Sequence, residues 1–286
     1  MIMIPDFIIR KKIFEYLEED LYYGDAMPIE DKKVKAMIIS KDNGVIAGIR
    51  VAKIAFESFG VKVLSVVKDG DYIGKGDIIM EVVGSSANIL MLERTILNIL
   101  MRMSGIATAT AEMVKIAKSV NPKVKIAATR KTTPGFRIFE KMAVEIGGGD
   151  PHRFGLGDCV IVKDNHIAVA GDLVKAIRLA KSTSFTKKIE VEVKSIEEAL
   201  IAVKEDVDII MLDNFKVKEV EEVINLLEKE KLRNKILIEV SGGITPKNVK
   251  DYAKTGVDII SSGYITHSAR ALDLSLEVEK IYHSSY

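Results

Sequence analysis

The sequence predicts an α/β protein in two parts: a small sheet carrying helices, followed by an irregular or incomplete α/β barrel. Three observations carry this expectation. From Val124 onward, short runs rich in valine and isoleucine alternate with amphipathic stretches of helical period. Nearly every such run ends in a polar or charged group. The first hundred or so residues follow a different pattern, mixing short strands, glycine turns and helices.

In the first part, Ile8 to Leu17 has helical apolar spacing, and Val34 to Ile39 and Val45 to Ala47 read as strands flanking a KDNG turn. The segment VKVLSVVKDGDYIGKGDIIMEVVG gives further strands separated by DG and GKGD, both good turn formers. Its charged residues Lys68, Asp69, Asp71, Lys75 and Asp77 are expected in solvated turns rather than in an ion or phosphate loop. Two helices follow, from about Ser86 to Leu100 and from about Ile106 to Ala117.

In the second part the strands are KVKIAATR, DCVIVKD, KIEVEV, VDIIMLD, KILIEVSG and VDIISSG. Helices are expected at Phe136 to Glu145, Asp172 to Ala180, Ser195 to Lys204, Val217 to Leu227 and Pro246 to Lys254. Runs apolar on both faces suit parallel strands buried between layers. Counting six strands also admits a doubly wound sheet, but the polar residues favour a barrel. Arg130 and Lys131, Lys163 and Asp164, Glu192, Asp213, Ser241 with Gly242, and Ser262 with Gly263 all fall at strand ends. The carboxyl ends of barrel strands are where active sites are built, so these groups are expected at one mouth.

Composition narrows the functions. The 286 residues carry 42 basic and 41 acidic side chains, so no long-range field draws the chain to nucleic acid or an anionic membrane. A single cysteine, Cys159, excludes an internal disulfide framework and a cysteine-rich zinc site. The apolar stretch VVGSSANILMLERTILNILMRMSG is broken by Glu93, Arg94 and Arg102, too soon for a bilayer span. No apolar leader with a small-residue cleavage site is present, so a soluble cytoplasmic protein is expected.

The groups at the expected mouth are suited to anions. In ATRKTTPG, the Arg130 guanidinium matches a carboxylate and the Lys131 ammonium a pyrophosphate. His152, Arg153 and Lys163 add positive charge, and the preceding GGG permits close approaches and is expected to form a substrate loop. His166 is read as a satisfied structural residue. Glu190 and Glu192 face one side of a strand, a pattern also compatible with an exposed edge. Glu192 and Asp213 are expected to converge on ribose hydroxyls or magnesium-bound water. Ser241, Gly242 and Gly243, ahead of a helix near Pro246, form a compact phosphate loop, with Ser262, Gly263, Thr266 and His267 beside it. No GxSxG, GxGxxG in strand-helix context, or paired-histidine metal spacing is present.

The motifs ERTILNILMRMSGIATAT, ATRKTTPG, GGGDPHRFGLGDCVIVKDNHI, IEVEV, LDN, EVSGGI and GYITHS occur in an order that resembles the quinolinate phosphoribosyltransferase family over almost the whole chain. Two local departures are Pro151 before His152, where asparagine is common, and GDAMP near the N-terminus. The resemblance implies an N-terminal α/β sandwich and an irregular, incomplete α/β barrel of the seven-stranded kind found in the family. The expected division is residues 1–115, 116–275 and a C-terminal helix over 276–286 packing back on the first domain.

The implied reaction transfers the phosphoribosyl group of phosphoribosyl pyrophosphate to quinolinate with loss of carbon dioxide, using Mg2+. Thr129, Arg130, His152, Arg153 and Lys163 are implied as the quinolinate pocket, with Arg94 delivered from the partner of a homodimer. Lys131, Glu192, Asp213, Ser241, Gly242, Gly263 and His267 are implied on the phosphoribosyl pyrophosphate side, and Gly243 and Ser262 are expected there from their places in the two phosphate loops. Lys131, Lys163, Glu192 and Asp213 are the implied catalytic set, with Lys163 or water supplying the final proton. The rival readings are a nicotinate transferase without decarboxylation and a noncatalytic metabolite-binding relative.

Overall fold

The computed structural model describes residues 4–24, 26–28 and 30–279. It divides into two compact units, Met1–Ala109 with Glu145–Gly147 and Ala269–Tyr286, and Thr110–Val144 with Gly148–Ser268.

The first unit holds helix α1 (Asp6–Leu21), strands β1 (Lys33–Ser40) and β2 (Gly44–Val45), helix α2 (Ile49–Ser58), and strands β3 (Lys62–Val66), β4 (Tyr72–Ile73) and β5 (Ile78–Ser85). β1 alternates buried and half-exposed residues, as a sheet with one covered face requires. The acidic turn residues are structural. Asp69 accepts hydrogen bonds from the backbone N–H groups of Gly48, Ile49 and Arg50 and so caps α2 from a distant loop. Asp71 and Asp77 close their own turns on the Lys68 and Gly74 N–H groups.

Helix α3 runs unbroken over Ser86–Lys118, where two helices were expected. The apparent break at Gly105 has a packing cause. A Cβ there would lie 2.1 Å from the backbone oxygen of Arg270, so glycine marks a close backbone approach rather than a helix end. Gly105→Ala is expected to destabilise the protein by about 3 kcal/mol, the scale of overpacking against an immovable backbone. Urea unfolding checks this, and a loss under about 1 kcal/mol would contradict it.

The chain re-enters the first unit at Ala269, and Leu274–Val278 forms a strand antiparallel to β1. The four-stranded sheet is therefore completed by the C-terminal segment, which is a strand through Val278 and not the helix expected from 276. The remainder of that expected helix, residues 280–286, lies outside the described residues. The division also falls at Ala109, inside α3, rather than after residue 115.

The second unit contains β6 (Lys125–Ala127), α4 (Arg137–Ile146), β7 (Val160–Val162), α5 (Asp164–Ala170), α6 (Leu173–Lys181), β8 (Ile189–Val193), α7 (Ile196–Lys204), β9 (Ile209–Asp213), α8 (Val217–Lys229), β10 (Leu237–Ser241), α9 (Val249–Lys254), β11 (Ile259–Ser261) and α10 (Tyr264–His267). All six expected strands are present, in a parallel sheet ordered β6-β11-β10-β9-β8-β7. A seventh position exists beyond β6. Asp150 makes a parallel bridge to Ala127, donating its N–H to the Ile126 carbonyl at 2.7 Å and accepting from the Ala128 N–H at 2.9 Å. This one-residue strand follows the GGG segment. Gly149 is there because a Cβ would lie 2.7 Å from the Thr110 methyl group and 2.9 Å from a Val144 methyl group, which makes it a packing glycine.

Strand periodicity separates two faces. Val162, Val191, Val193, Ile210, Leu212, Ile238, Val240 and Ile260 are buried on one side. The alternate residues, Ile161, Lys163, Glu192, Met211, Asp213, Glu239, Ser241 and Ser261, line a common cavity on the other. No helix among the described residues is long and apolar enough to cross a membrane.

Candidate active site

The cavity has a volume of about 540 Å³ and opens where the parallel strands end. Of the residues expected at the mouth, Thr129, Arg130, Lys131, His152, Arg153, Lys163, Glu192, Asp213, Ser241, Gly242 and Gly243 line it. The loop after β6 is tied down from several sides. The Lys131 N–H donates to Thr129 Oγ1 at 3.1 Å, and the Lys131 carbonyl accepts from Thr266 Oγ1 at 2.8 Å. Arg137 donates to Thr132 Oγ1 and to the Phe154 carbonyl, while Glu140 accepts from the Thr133 N–H and hydroxyl. Arg130 and Lys131 are thus exposed cations on a fixed backbone.

Lys163 Nζ pairs with Glu192 Oε2 at 2.8 Å. Asp213 Oδ2 accepts from Asn214 Nδ2 at 2.7 Å, and burial together with the nearby Glu192 charge raises the Asp213 carboxyl above its ordinary value. Asn214 has φ of 59° and donates its N–H to the Ser241 carbonyl at 2.9 Å, which places it against the phosphate loop.

Three expected residues lie beside the lining set. A Cβ built on Gly263 would approach His267 Nε2 to 2.8 Å and Lys131 Cδ to 3.0 Å, so these three residues are packed together. His267 is exposed, with Nδ1 2.7 Å from Ser268 Oγ. Ser262 is buried and braces the neighbouring loops, donating its hydroxyl to the Ile244 carbonyl at 2.6 Å and accepting from the Tyr264 N–H. Arg94 is exposed on α3 and is not among the cavity-lining residues. His166 Nδ1 accepts the Lys163 N–H at 3.1 Å, in keeping with a structural role. The Cys159 thiol is pushed up to about 11 by burial and by the Glu190 charge, which leaves it inert as a nucleophile.

The site has a floor that the residue pattern did not reveal. Glu190 is fully buried rather than on an exposed edge, and so is Glu239, a charge in the middle of the apolar KILIEVSG run. His152 Nε2 lies 3.2 Å from Glu239 Oε2 and 3.5 Å from Glu190 Oε2. Burial opposes an imidazolium, but the two carboxylates outweigh it and raise His152 above its ordinary value. Burial and Glu239 raise Glu190. Charged residues at inward strand positions were the available signal for this floor.

Lys141, fully buried on α4, donates to the Pro151 carbonyl, and burial lowers it to about 8. A folded value below the unfolded one near 10.5 means the unfolded chain binds the extra proton between these limits. Stability from this group is therefore complete above the unfolded value and is lost as pH falls through about 8. Relative to Lys141→Met, the wild-type protein should gain about 3 kcal/mol between pH 8 and 10.5. Paired urea unfolding curves test this, and a difference independent of pH would contradict it.

A parallel barrel whose mouth collects cations, two carboxylates and a glycine phosphate loop defines a group-transfer enzyme for anionic substrates. Family models described as quinolinate phosphoribosyl transferase match at residues 20–104 for the N-terminal domain and 106–277 for the C-terminal domain. The chain is 58% identical over 256 residues to the probable nicotinate-nucleotide pyrophosphorylase (carboxylating) of Archaeoglobus fulgidus, covering 90% of this chain and 98% of that one. It is 47% identical to the Methanothermobacter thermautotrophicus protein of the same name, over 93% and 97% of the two chains. The solved nicotinate-nucleotide pyrophosphorylase of Francisella tularensis superposes with a TM-score of 0.89 at 37% identity, covering 97% of this chain and 98% of that one. This chain belongs to the quinolinate phosphoribosyl transferase family.

Proposed function

We propose that the chain transfers the phosphoribosyl group of phosphoribosyl pyrophosphate to quinolinate, giving nicotinate mononucleotide, pyrophosphate and carbon dioxide. The observation that carries this reading is the grouping of Arg130, Arg153 and Lys163 in one cavity with the Ser241–Gly243 loop. Two adjacent carboxylates on a pyridine ask for several cations, and a phosphorylated ribose asks for exposed loop amides. A monocarboxylate such as nicotinate would leave part of that positive charge unmatched.

In this account Arg130, Arg153 and Lys163 hold the pyridine so that its nitrogen faces the anomeric carbon. His152 lines the same pocket with Nε2 turned toward Glu239 and Glu190, while Lys131 and the Ser241–Gly243 loop hold the phosphates. The ring nitrogen forms a bond to the anomeric carbon as the bond to pyrophosphate breaks, and Lys131 offsets the charge on the departing oxygen. The carboxylates of Glu192 and Asp213 favour positive charge developing on the ribose. The C2–carboxylate bond then breaks, carbon dioxide leaves, and the electron pair stays at C2 beside the pyridinium nitrogen until a proton replaces it.

Glu192 and Asp213 also suit Mg2+. With Lys163 engaged by Glu192, Asp213 accepts from the Asn214 amide and its carboxyl is raised by burial and a like charge, a situation a cation relieves. Bound there with substrate phosphates, Mg2+ would neutralise pyrophosphate as it leaves. Arg94, an exposed cation on α3, is suited to completing the pocket of a second copy in a homodimer. Incubation with magnesium, phosphoribosyl pyrophosphate and quinolinate should yield nicotinate mononucleotide by chromatography. Product from nicotinate but not from quinolinate would replace this reading with the noncarboxylating one.

A further inference from the structure

Two carboxylates at the bottom of a site for dianions need an explanation, because they repel the substrate the mouth attracts. Glu190 and Glu239 sit on β8 and β10, alternate strands with β9 between them, and both are 0% exposed. Among the described residues, neither oxygen of Glu190 nor Oε1 of Glu239 has a hydrogen-bond partner. What they face is His152, whose Nε2 is 3.2 Å from Glu239 and 3.5 Å from Glu190.

The other ring nitrogen, Nδ1, accepts the Arg153 N–H at 2.8 Å. Both nitrogens of His152 are thereby engaged within the protein. The residue itself has φ of 53°, held by its N–H donating to Asp150 Oδ1 at 2.8 Å. Arg153, the next residue, carries a cavity-lining guanidinium that donates to the Cys159 carbonyl at 3.2 Å. Its charged neighbours are Arg130, which repels it, and Glu190 and Asp158, which attract it. Before substrate arrives, the cations of the mouth have no dianion to hold them together.

We infer that Glu239 and Glu190 are positioning residues for the quinolinate half of the site: through His152 they fix the backbone at Arg153 and keep its guanidinium placed in the free enzyme. This rests on the reaction proposed above. The carboxylates do not touch substrate; they act through the imidazole, which bridges the barrel floor and the loop bearing Arg153. The arrangement favours the quinolinate side alone, since the phosphate loop and Lys131 are held by other bonds.

The test is a comparison of Glu239→Gln and Glu239→Leu in the full-length protein, with KM measured separately for each substrate. Leucine removes the acceptor for His152 and should raise the quinolinate KM about tenfold, with the KM for phosphoribosyl pyrophosphate unchanged within about twofold. Glutamine retains an acceptor oxygen of the same reach and should keep the quinolinate KM within about threefold of wild type. Equal changes in both KM values, or a kcat loss alone, would overturn the inference. So would a stoichiometric metal in the purified protein that the glutamine variant loses, because the three side chains would then be ligands.

If the leucine variant does not fold, histidine-labelled wild type decides the matter by 15N NMR. Observed at alkaline pH, where the imidazole is neutral, the inference requires the single ring proton of His152 on Nε2 with Nδ1 bare; a neutral ring with its proton on Nδ1 contradicts it. Wild-type turnover of quinolinate is the control. Its absence removes the proposed reaction and this inference together, whereas turnover without the split in KM removes only the inference.

Discussion

Replacing Lys131 by methionine should lower kcat/KM about a thousandfold, most of it in kcat. The side chain stands at the end of β6, with its backbone tied to Thr129 and Thr266 and its stem against Gly263 and His267. It is exposed, so the loss would not come from a vacated core. What disappears is a positive charge directed at the phosphate side of the cavity, where negative charge grows as the anomeric bond breaks. Steady-state rates with both substrates varied will show this. A loss under about tenfold would place the compensating charge elsewhere.

Gly242→Ala should be nearly as damaging, by geometry alone. Gly242 has φ of 97°, and a Cβ there would lie 2.2 Å from Asn214 Oδ1 and 2.9 Å from the Asn214 nitrogen. Asn214 holds Asp213 Oδ2 through its amide and the Ser241 carbonyl through its backbone, so displacing it moves a carboxylate and the phosphate loop together. The expected result is a loss of at least a hundredfold in kcat/KM, a raised KM for phosphoribosyl pyrophosphate, and about 2 kcal/mol of stability. Gly243→Ala is the comparison. Its φ of 61° lies in the left-handed region, but no atom comes within 4 Å of the added carbon, so its cost should be about 1 kcal/mol with far less effect on rate. Similar losses in both variants would mean that backbone strain, not the collision with Asn214, controls the loop.

These residues also show what the sequence made legible. The six parallel strands were visible because each is a run of β-branched residues, and the mouth because chemical groups follow those runs directly. What depended on distant partners was hidden. The cap of α2 is Asp69, about twenty residues away, so no local signal marked its start. Gly105 lies between the two expected helices, and its reason for being glycine, the Arg270 backbone, is remote in sequence. The seventh barrel position is a single residue, Asp150, too short to leave a period-two pattern. Leu274–Val278 is five residues long and its strand partner, β1, lies at the other end of the chain. Alternation leaves the burial of Glu190 open, because it reports which face a residue takes, not whether that face is wet. The strand-end position of Ser262 suggested a phosphate ligand and the family resemblance gave Arg94 to a partner's pocket, whereas the geometry makes Ser262 a brace and leaves Arg94 outside its own chain's cavity lining.

The most direct test of the central claim uses quinolinate labelled in the carboxylate next to the ring nitrogen. With enzyme, magnesium and phosphoribosyl pyrophosphate, labelled carbon dioxide should appear in equal amount to nicotinate mononucleotide and pyrophosphate, and none should appear when phosphoribosyl pyrophosphate is omitted. Pyrophosphate formed with the label retained in the nucleotide, or label released without phosphoribosyl pyrophosphate, would contradict a site that couples ribosyl transfer to loss of that carboxylate.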